Sequence, residues 1–562
     1  MHISHLARSA LVLSITTLAI ASCQSADDAA AGTDALVTLY ADLGDYARPT
    51  TTATADARAY FDQGLRLQYA FNHPEAIRSY EYAVELDPDC AMCWWGIALA
   101  AGPNINAPVD EAGAARATEA IAEAVERLDG VEPVERALIE ALAERYGPDP
   151  IANRTVQDSA WAVAMEDVAA EYANDPDVLT LTAASLMNLS PWNYWTGPYD
   201  ERAPRPGTER AVELVQSALA LDANHPGACH YLIHVVEAAY PEQAVECADR
   251  LAALMPGAGH IVHMPGHIYL RVGRYADAVE ANRHAVHADE TYIADLGPIN
   301  IYTSAYYPHN YHFMNFAATM AGMSAVAIQS AAKLPEKISP AVAEGVGWIQ
   351  LAVATPQLTY VTFGRWEAVL ALPAPPGNLA ISTMLHHYAR GVAHAALGRV
   401  DEAQASRDSM RAAGTKVLSI SALLDMEPIP QIAEHALAGE IELRAGNPHG
   451  AVEHFLAARE IEDGMVYLEP PLWYYPIRWS LGEALLQAGR PLEAEQAYRE
   501  DLLKFPGNGW SLYGLAKSLE AQGKSDEAAE ASAAFEVAWA SADIGISASR
   551  MCKARRSEVV TC

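Results

Sequence analysis

Apolar and small side chains recur every three to four residues along most of this chain, the period of a helix with one buried face. The pattern is clearest after Ala57, in FDQGLRLQYAFNHPEAIRSYEYAVELDP, where Gly64, Ala76, Tyr80 and Ala83 are the small and aromatic positions of two successive helices and Pro88 closes the unit. With the alanine as register mark, the unit restarts near Ala57, Ala91, His225, Gly259, Met384, Ile432, Tyr475 and Gly509. Three of the steps, 57 to 91, 225 to 259 and 475 to 509, are 34 residues long. Gly266 with Tyr269, Gly391, Gly439 and Gly482 take the small position of the first helix, and Tyr80, Phe455 and Tyr498 the aromatic position of the second. The intervals 110 to 224 and 285 to 383 keep a helical period but lose this signature, which predicts degenerate helix pairs and longer insertions there.

On these positions the chain resembles the tetratricopeptide repeat family. The resemblance implies an all-α fold, an α-solenoid in which helix hairpins stack into a right-handed superhelix, because one pair cannot bury its apolar face alone. It also implies an inner groove lined by positions 2, 5, 6, 9, 12 and 13 of each first helix. The expected divisions are 1–22, 23–55, 56–224, 225–330, 331–545 and 546–562: a signal peptide, a tether, N-terminal repeats, a histidine-rich set, C-terminal repeats and a tail.

Composition agrees with an ordered helical protein: of 562 residues, 51% are apolar and 19% charged. The net charge of −34 argues against nucleic acid, whose phosphates are bound through clustered Lys and Arg. No phosphate-cradling glycine loop, serine elbow or dinucleotide fingerprint is present, so nucleotide chemistry is not expected. The N-terminus reads as a targeting signal: a short basic stretch, the apolar run SALVLSITTLAI, which is too short to span a bilayer, then Ile20-Ala21-Ser22-Cys23. It resembles a bacterial lipoprotein signal, which implies lipidation of Cys23 and, with Gln24 following, an outer-membrane anchor facing the periplasm. Six further cysteines, Cys90, Cys93, Cys229, Cys247, Cys552 and Cys562, then meet an oxidising compartment, and the sequence does not choose among their pairings. Cys552 with Cys562 would clip the tail; Cys90 and Cys93 are open to a local disulfide, a redox role or a metal.

The chemistry concentrates between Asn224 and Asn315. His230 and His234 lie in HYLIHVVE, His260, His263 and His267 in GHIVHMPGH, and His309 and His312 in PHNYHF. Residues three and four apart share a helix face, about 5–6 Å between Cβ atoms. By the repeat register, His260, His263 and His267 fall at positions 2, 5 and 9, all facing inward; His230 falls at position 6, His234 at 10 and Glu237 at 13. Neutral imidazoles with one carboxylate suit a divalent transition metal, zinc or copper above others. The expected ligand set is His230, His234, Glu237, His260, His263 and His267, with His309 and His312 close by. Hydrolytic and oxidative chemistry both stay open, and HExxH is absent. His284, His287, His386, His387 and His394 have no matching run in a neighbouring repeat and read as structural.

Pocket walls are expected from loops unlike repeat turns: AAGPNINAP with Asn104 and Asn106, LSPWNYWTGPYD with Trp192 and Trp195, the tyrosines Tyr307 and Tyr311 beside the last run, and His73 in the first hairpin turn. The segments FNH, WWGIALAAGPNIN, PWNYW, HYLIHVVE, GHIVHMPGHIYLRVGRY and HNYHF together resemble a group of large His-rich bacterial repeat lipoproteins. The competing expectation is a scaffold whose concave groove takes a peptide or protein partner, with no catalysis.

Overall fold

A computed structural model of the chain describes residues 37–147, 149–197, 199–296, 302–417 and 426–550. Helices follow one another almost without interruption: α1 Ala55–Tyr69, α2 His73–Leu86, α3 Ala91–Ala101, α4 Glu111–Glu126, α5 Pro133–Ala143, α6 Arg154–Glu171, α7 Pro176–Met187, α8 Thr208–Leu221, α9 Pro226–Val236, α10 Val245–Leu254, α11 Gly259–His263, α12 Pro265–Arg271, α13 Tyr275–Leu296, α14 Tyr307–Met320 and α15 Ser324–Lys337. Further hairpins run on to Ser525–Ala538. Each helix packs on its hairpin partner, and first helices of neighbouring units touch, as α1 on α3 and α7 on α9 do. The protein is an all-α helical-repeat solenoid, as the period predicts. Among the described residues, strand is limited to the two-residue ladder of Trp195–Thr196 with Ala203–Pro204, inside an insertion.

Local chemistry sets the helix ends. Side-chain oxygens of Thr54, Asp110, Asp175 and Asn508 accept the backbone N–H three residues on, and proline takes the first turn of α5, α7 and α9, where its missing N–H costs nothing. Gly446 and Gly489 turn the chain after a first helix at positive φ, which a Cβ would resist.

Hairpins close through an aromatic ring of the second helix pressed on a glycine of the first. A Cβ on Gly64 would meet Tyr80 Cδ1 at 2.6 Å, and one on Gly439 would meet Phe455 Cε1 at 2.8 Å. Tyr498 is wedged between Gly482 and Gly514 in the same way. The sequence-derived starts at Ala91 and Gly509 coincide with observed helix starts, whereas the helices expected at Met384 and Ile432 begin one turn earlier, at Ala380 and Pro428. The two intervals without signature are helical hairpins too, with the Trp195 ladder and a π-helical turn, Tyr302–Tyr306, as insertions.

Two expectations change. Residues 37–54 do not hang free as a tether: Leu43 is buried, Tyr40 N donates to Gln63 Oε1 at 2.8 Å, and Arg48 reaches Asp175 and Asp177 at 2.8 and 2.9 Å. The start of the tail is likewise seated, with Ser549 against Tyr498 and Arg550 paired with Glu440. Cys90 pairs with Cys93 and Cys229 with Cys247. Cys23, Cys552 and Cys562 lie outside the described residues. Among those described, no helix is long and apolar enough to cross a membrane.

The coil also closes on itself: α1 touches α9, and Tyr275 Oη donates to Pro506 O at 2.8 Å. Side chains far apart in sequence thereby meet around the histidines.

Candidate metal centre

α9 starts on a histidine that has no part in the centre. His225 Nδ1 accepts from Ala228 N at 3.0 Å, and its Nε2 faces Asp177 Oδ1 at 3.2 Å, so both of its nitrogens are used. One turn on, His230 Nδ1 lies 2.6 Å from the Tyr69 carbonyl. A carbonyl only accepts, so that nitrogen carries the hydrogen and Nε2 is a bare lone pair. It points at His234 Nε2, 3.1 Å away.

The arrangement repeats on the next hairpin. His263 Nδ1 lies 2.7 Å from Asn282 Oδ1, and the Asn282 amide is oriented by its own Nδ2 donating to Ala278 O at 2.8 Å. His267 Nδ1 donates to Glu237 Oε2 at 2.6 Å. The two free Nε2 atoms then face each other at 2.8 Å. Pro265, between these histidines, starts α12, and His267 N bonds Met264 O three residues back, a tightened turn that swings His267 towards His263.

Two groups of three imidazoles result, His230, His234 and His260, and His263, His267 and His309, each with ligand nitrogens within 4.8 Å of one another. All except His309 are buried, and neither nitrogen of His260 has a hydrogen-bond partner. Rings of different groups lie as close as rings within one: the His260 and His263 centroids are 5.8 Å apart and those of His234 and His267 5.9 Å. Burial first, and neighbouring imidazoles second, hold His230, His260, His263 and His309 well below the ordinary imidazole value, so they are neutral, the form that ligates. At His267 burial also acts downwards, but the charge and hydrogen bond of Glu237 outweigh it and the net shift is upward.

Glu237 stands behind the rings. Its Oε2 takes the His267 proton and its Oε1 is 3.5 Å from His234 Nδ1, so one carboxylate backs one histidine of each group. Burial opposes its charge, yet the facing His267 and His234 hold the carboxyl below its usual range. A third grouping joins Glu237, His267 and Glu469, and Arg271 Nε faces Glu469 Oε1 at 3.5 Å. The sequence reading missed Glu469, more than two hundred residues from its partner Glu237. Its segment, YLEPPLWYYP, has the aromatic and proline content of the two loops that were singled out.

The wall is built from strained backbone. Phe71 and Trp192 are the non-glycine residues of positive φ among those described, at 55° and 62°. Both lie against the first group: the Phe71 ring is 4.3 Å from His230 and near parallel to His234 and His260, and Trp192 meets His234 edge-on at 5.1 Å. Such conformations cost about 1–3 kcal/mol each and concentrate at functional sites. Asn106 ties the wall together, accepting from Trp192 Nε1 and donating to Tyr306 Oη, both at 3.0 Å, and the Tyr306 ring sits 4.7 Å from His260.

The other candidates are placed elsewhere. His312 belongs to none of the three groupings; one turn past His309 it lines a neighbouring cavity with Asn315, Thr359 and Trp473. Asn104 caps its own turn through Asn106 N and Ala107 N. Trp195 donates to Val235 O at 2.6 Å and props α9 from behind. Tyr307 and Tyr311 both turn to Glu290 Oε1. His73 lies on the far side of the first group's wall, its ring stacked on Phe71 at 5.6 Å.

No protein-family model and no curated protein matches the chain. Among solved structures, a human IFIT1 dimer with m7Gppp-AAAA is 13% identical, covers 87% of this chain and 91% of its own, with a TM-score of 0.32. A human IFIT1 dimer with PPP-AAAA is 14% identical over 84% and 89%, TM-score 0.32, and a monomeric IFIT1 mutant with Gppp-AAAA 13% identical over 87% and 96%, TM-score 0.34. At that similarity the likeness carries no argument about ligand or activity.

Proposed function

We propose that this protein is a metalloprotein whose histidine-lined cavity holds a transition-metal ion, zinc or copper, on an envelope-anchored helical-repeat frame. The observation that supports it most is the pair of opposed Nε2 atoms of His263 and His267 at 2.8 Å, each with its Nδ1 committed to a fixed acceptor. Two lone pairs at that distance repel, so a positive centre belongs between them, a proton or a metal ion. Metal-bound histidines typically donate the other ring N–H to a carboxylate or carbonyl oxygen, which is what Glu237, Asn282 and the Tyr69 carbonyl offer. In the other group, the buried, unpartnered nitrogens of His260 call for a ligand there, because burying an unsatisfied polar group without one costs about 1–3 kcal/mol.

An ion held by three imidazoles keeps a position for water or substrate, and supplies an activated water if zinc or electron transfer if copper. In this reading Cys23 carries the lipid and the cavity faces the periplasm. A repeat frame also suits docking of a peptide or protein partner, and metal content separates the two uses. Full-chain protein purified without a polyhistidine tag should contain near-stoichiometric zinc or copper. That metal content should fall on replacing His263 and His267 together by Gln. Absence of metal, with a melting temperature unmoved by added zinc or copper, would overturn the proposal.

A further inference from the structure

The six imidazoles are organised as two copies of one device. In each, a pair four residues apart, His230 with His234 or His263 with His267, sets Nε2 against Nε2, and a third ring comes from another helical segment, His260 or His309. Three outer nitrogens are backed by a hydrogen bond, His230 by the Tyr69 carbonyl, His263 by the Asn282 amide and His267 by Glu237 Oε2, while His234 Nδ1 faces the other oxygen of Glu237 at 3.5 Å. With metal–nitrogen bonds of about 2.0–2.1 Å, two tetrahedral ligands stand roughly 3.3 Å apart. The observed 3.1 and 2.8 Å both fall short of that, so a small opening of each pair would seat an ion of its own. One ion cannot take all six: His230 and His263 are turned to their own partners, and each ring offers one inward nitrogen.

We infer that the cavity is a two-ion centre for monovalent copper, one ion per histidine triad, with Glu237 the shared carboxylate behind both. This rests on the metalloprotein reading above and adds the stoichiometry and the charge of the ions. The charge follows from the surroundings. Imidazoles bound to a metal are neutral ligands and contribute none, Arg271 and Glu469 face each other at 3.5 Å as opposite charges, and Glu237 supplies one negative charge. Two divalent ions would leave three uncompensated positive charges inside a shell that contains Phe71, Phe313 and Trp192; two monovalent ions leave one. Uncompensated charge is what a low-dielectric interior tolerates least. Copper is the first-row metal with a stable monovalent state that accepts imidazole at low coordination number. The adjacency of the triads, with cross-triad ring centroids at 5.8 and 5.9 Å, suits a small molecule bound across both ions.

The test is an anaerobic titration of the metal-free full chain, free thiols alkylated and disulfides intact, with monovalent copper against a chromophoric chelator of that ion, with zinc titrated in parallel. Two equivalents of monovalent copper should bind. His230→Gln with His234→Gln should leave one, and so should His263→Gln with His267→Gln. Because a double variant can fold poorly, X-ray absorption on the unmodified protein gives a second readout: a copper neighbour at about 3.5–4 Å. One equivalent in the unmodified protein, or loss of all copper in either double variant, overturns the two-ion assignment while leaving a metalloprotein. Two equivalents of zinc with no monovalent copper overturns the charge argument. Neither metal bound means that the reading beneath it has failed as well.

Discussion

The repeat that begins at Tyr475 and the one that begins at Gly259 share a frame and differ in the residue that closes the hairpin. In the first, Gly482 lies sixteen residues before Tyr498, whose buried ring fills the hairpin; Gly64 before Tyr80 and Gly439 before Phe455 keep the same interval. In the second, Gly266 lies sixteen residues before Asn282, and a Cβ on Gly266 would meet Asn282 Nδ2 at 2.8 Å. An amide thus stands where those three repeats have a ring, and it spends its oxygen on His263. The hairpin gives up an aromatic wedge and gains a fixed acceptor for one ligand. A repeat fold can host a polar centre by changing the closing residue of a hairpin, here together with a tightened turn at Pro265 in its first helix.

The contrast breaks first on the structural side. Tyr498→Ala should remove a fully buried wedge and lower stability by about 3–5 kcal/mol in denaturant titration, with metal content per folded chain unchanged. Metal loss that tracks folded protein one for one is expected; metal loss beyond it would mean that the two repeats are not separable. Next comes the Cys229–Cys247 bridge, which ties α9 to α10 with a sequence separation of 18. Chain-entropy reasoning gives about 3 kcal/mol for a loop of this length. Cys229→Ser with Cys247→Ser should show it as a lower melting temperature, less sensitive to reductant than that of the native protein, with the Cys90–Cys93 bridge the remaining target.

Asn282 sharpens the comparison on the other side. Asn282→Ala leaves the His263 Nδ1–H without an acceptor, so about 1–3 kcal/mol of stability and roughly 10- to 100-fold in metal affinity should go. Asn282→Asp restores an acceptor and should recover the affinity. If both variants bind metal as the native chain does, Asn282 is packing and nothing more.

Much of this was readable before any coordinates, because period and register are local. Positions 2, 5 and 9 of the repeat at Gly259 put His260, His263 and His267 on one inward face, and all three are buried in the cluster. Asn282 was readable in principle, as an amide where the register elsewhere has an aromatic. Glu469, the Tyr69 carbonyl and the positive φ of Phe71 and Trp192 were not. They reach the centre through closure of the coil, which no local pattern encodes, or through backbone atoms, which carry no residue signature. His312 misled for a related reason: residues three apart share a helix face broadly, but the second is turned by about 60° from the first, and that turn takes the His312 ring to the neighbouring cavity.

The smallest expected effect distinguishes a structural histidine from a ligating one on the same helix. His225 has both nitrogens engaged, and its partner Asp177 also receives Arg48, Tyr46 and Tyr69. Burial alone would raise the Asp177 carboxyl, but His225 and Arg48 hold it well below its usual range. A depressed folded-state value means stabilisation fully present above the unfolded value of about 3.9 and lost as pH falls below it, at up to about 1.4 kcal/mol per pH unit for one proton. Metal-free native protein should therefore lose stability more steeply between pH 4 and pH 2 than Asp177→Asn, by roughly one proton in the slope. The variant is less stable at pH 7 because Arg48 and His225 lose a charged partner. His230, with a bare Nε2 in place of a second acceptor, is told apart by metal binding, which His230→Gln should lower and Asp177→Asn should leave unchanged. Equal slopes for the native chain and Asp177→Asn would place the acid sensitivity elsewhere and remove the physical ground for separating His225 from the two triads.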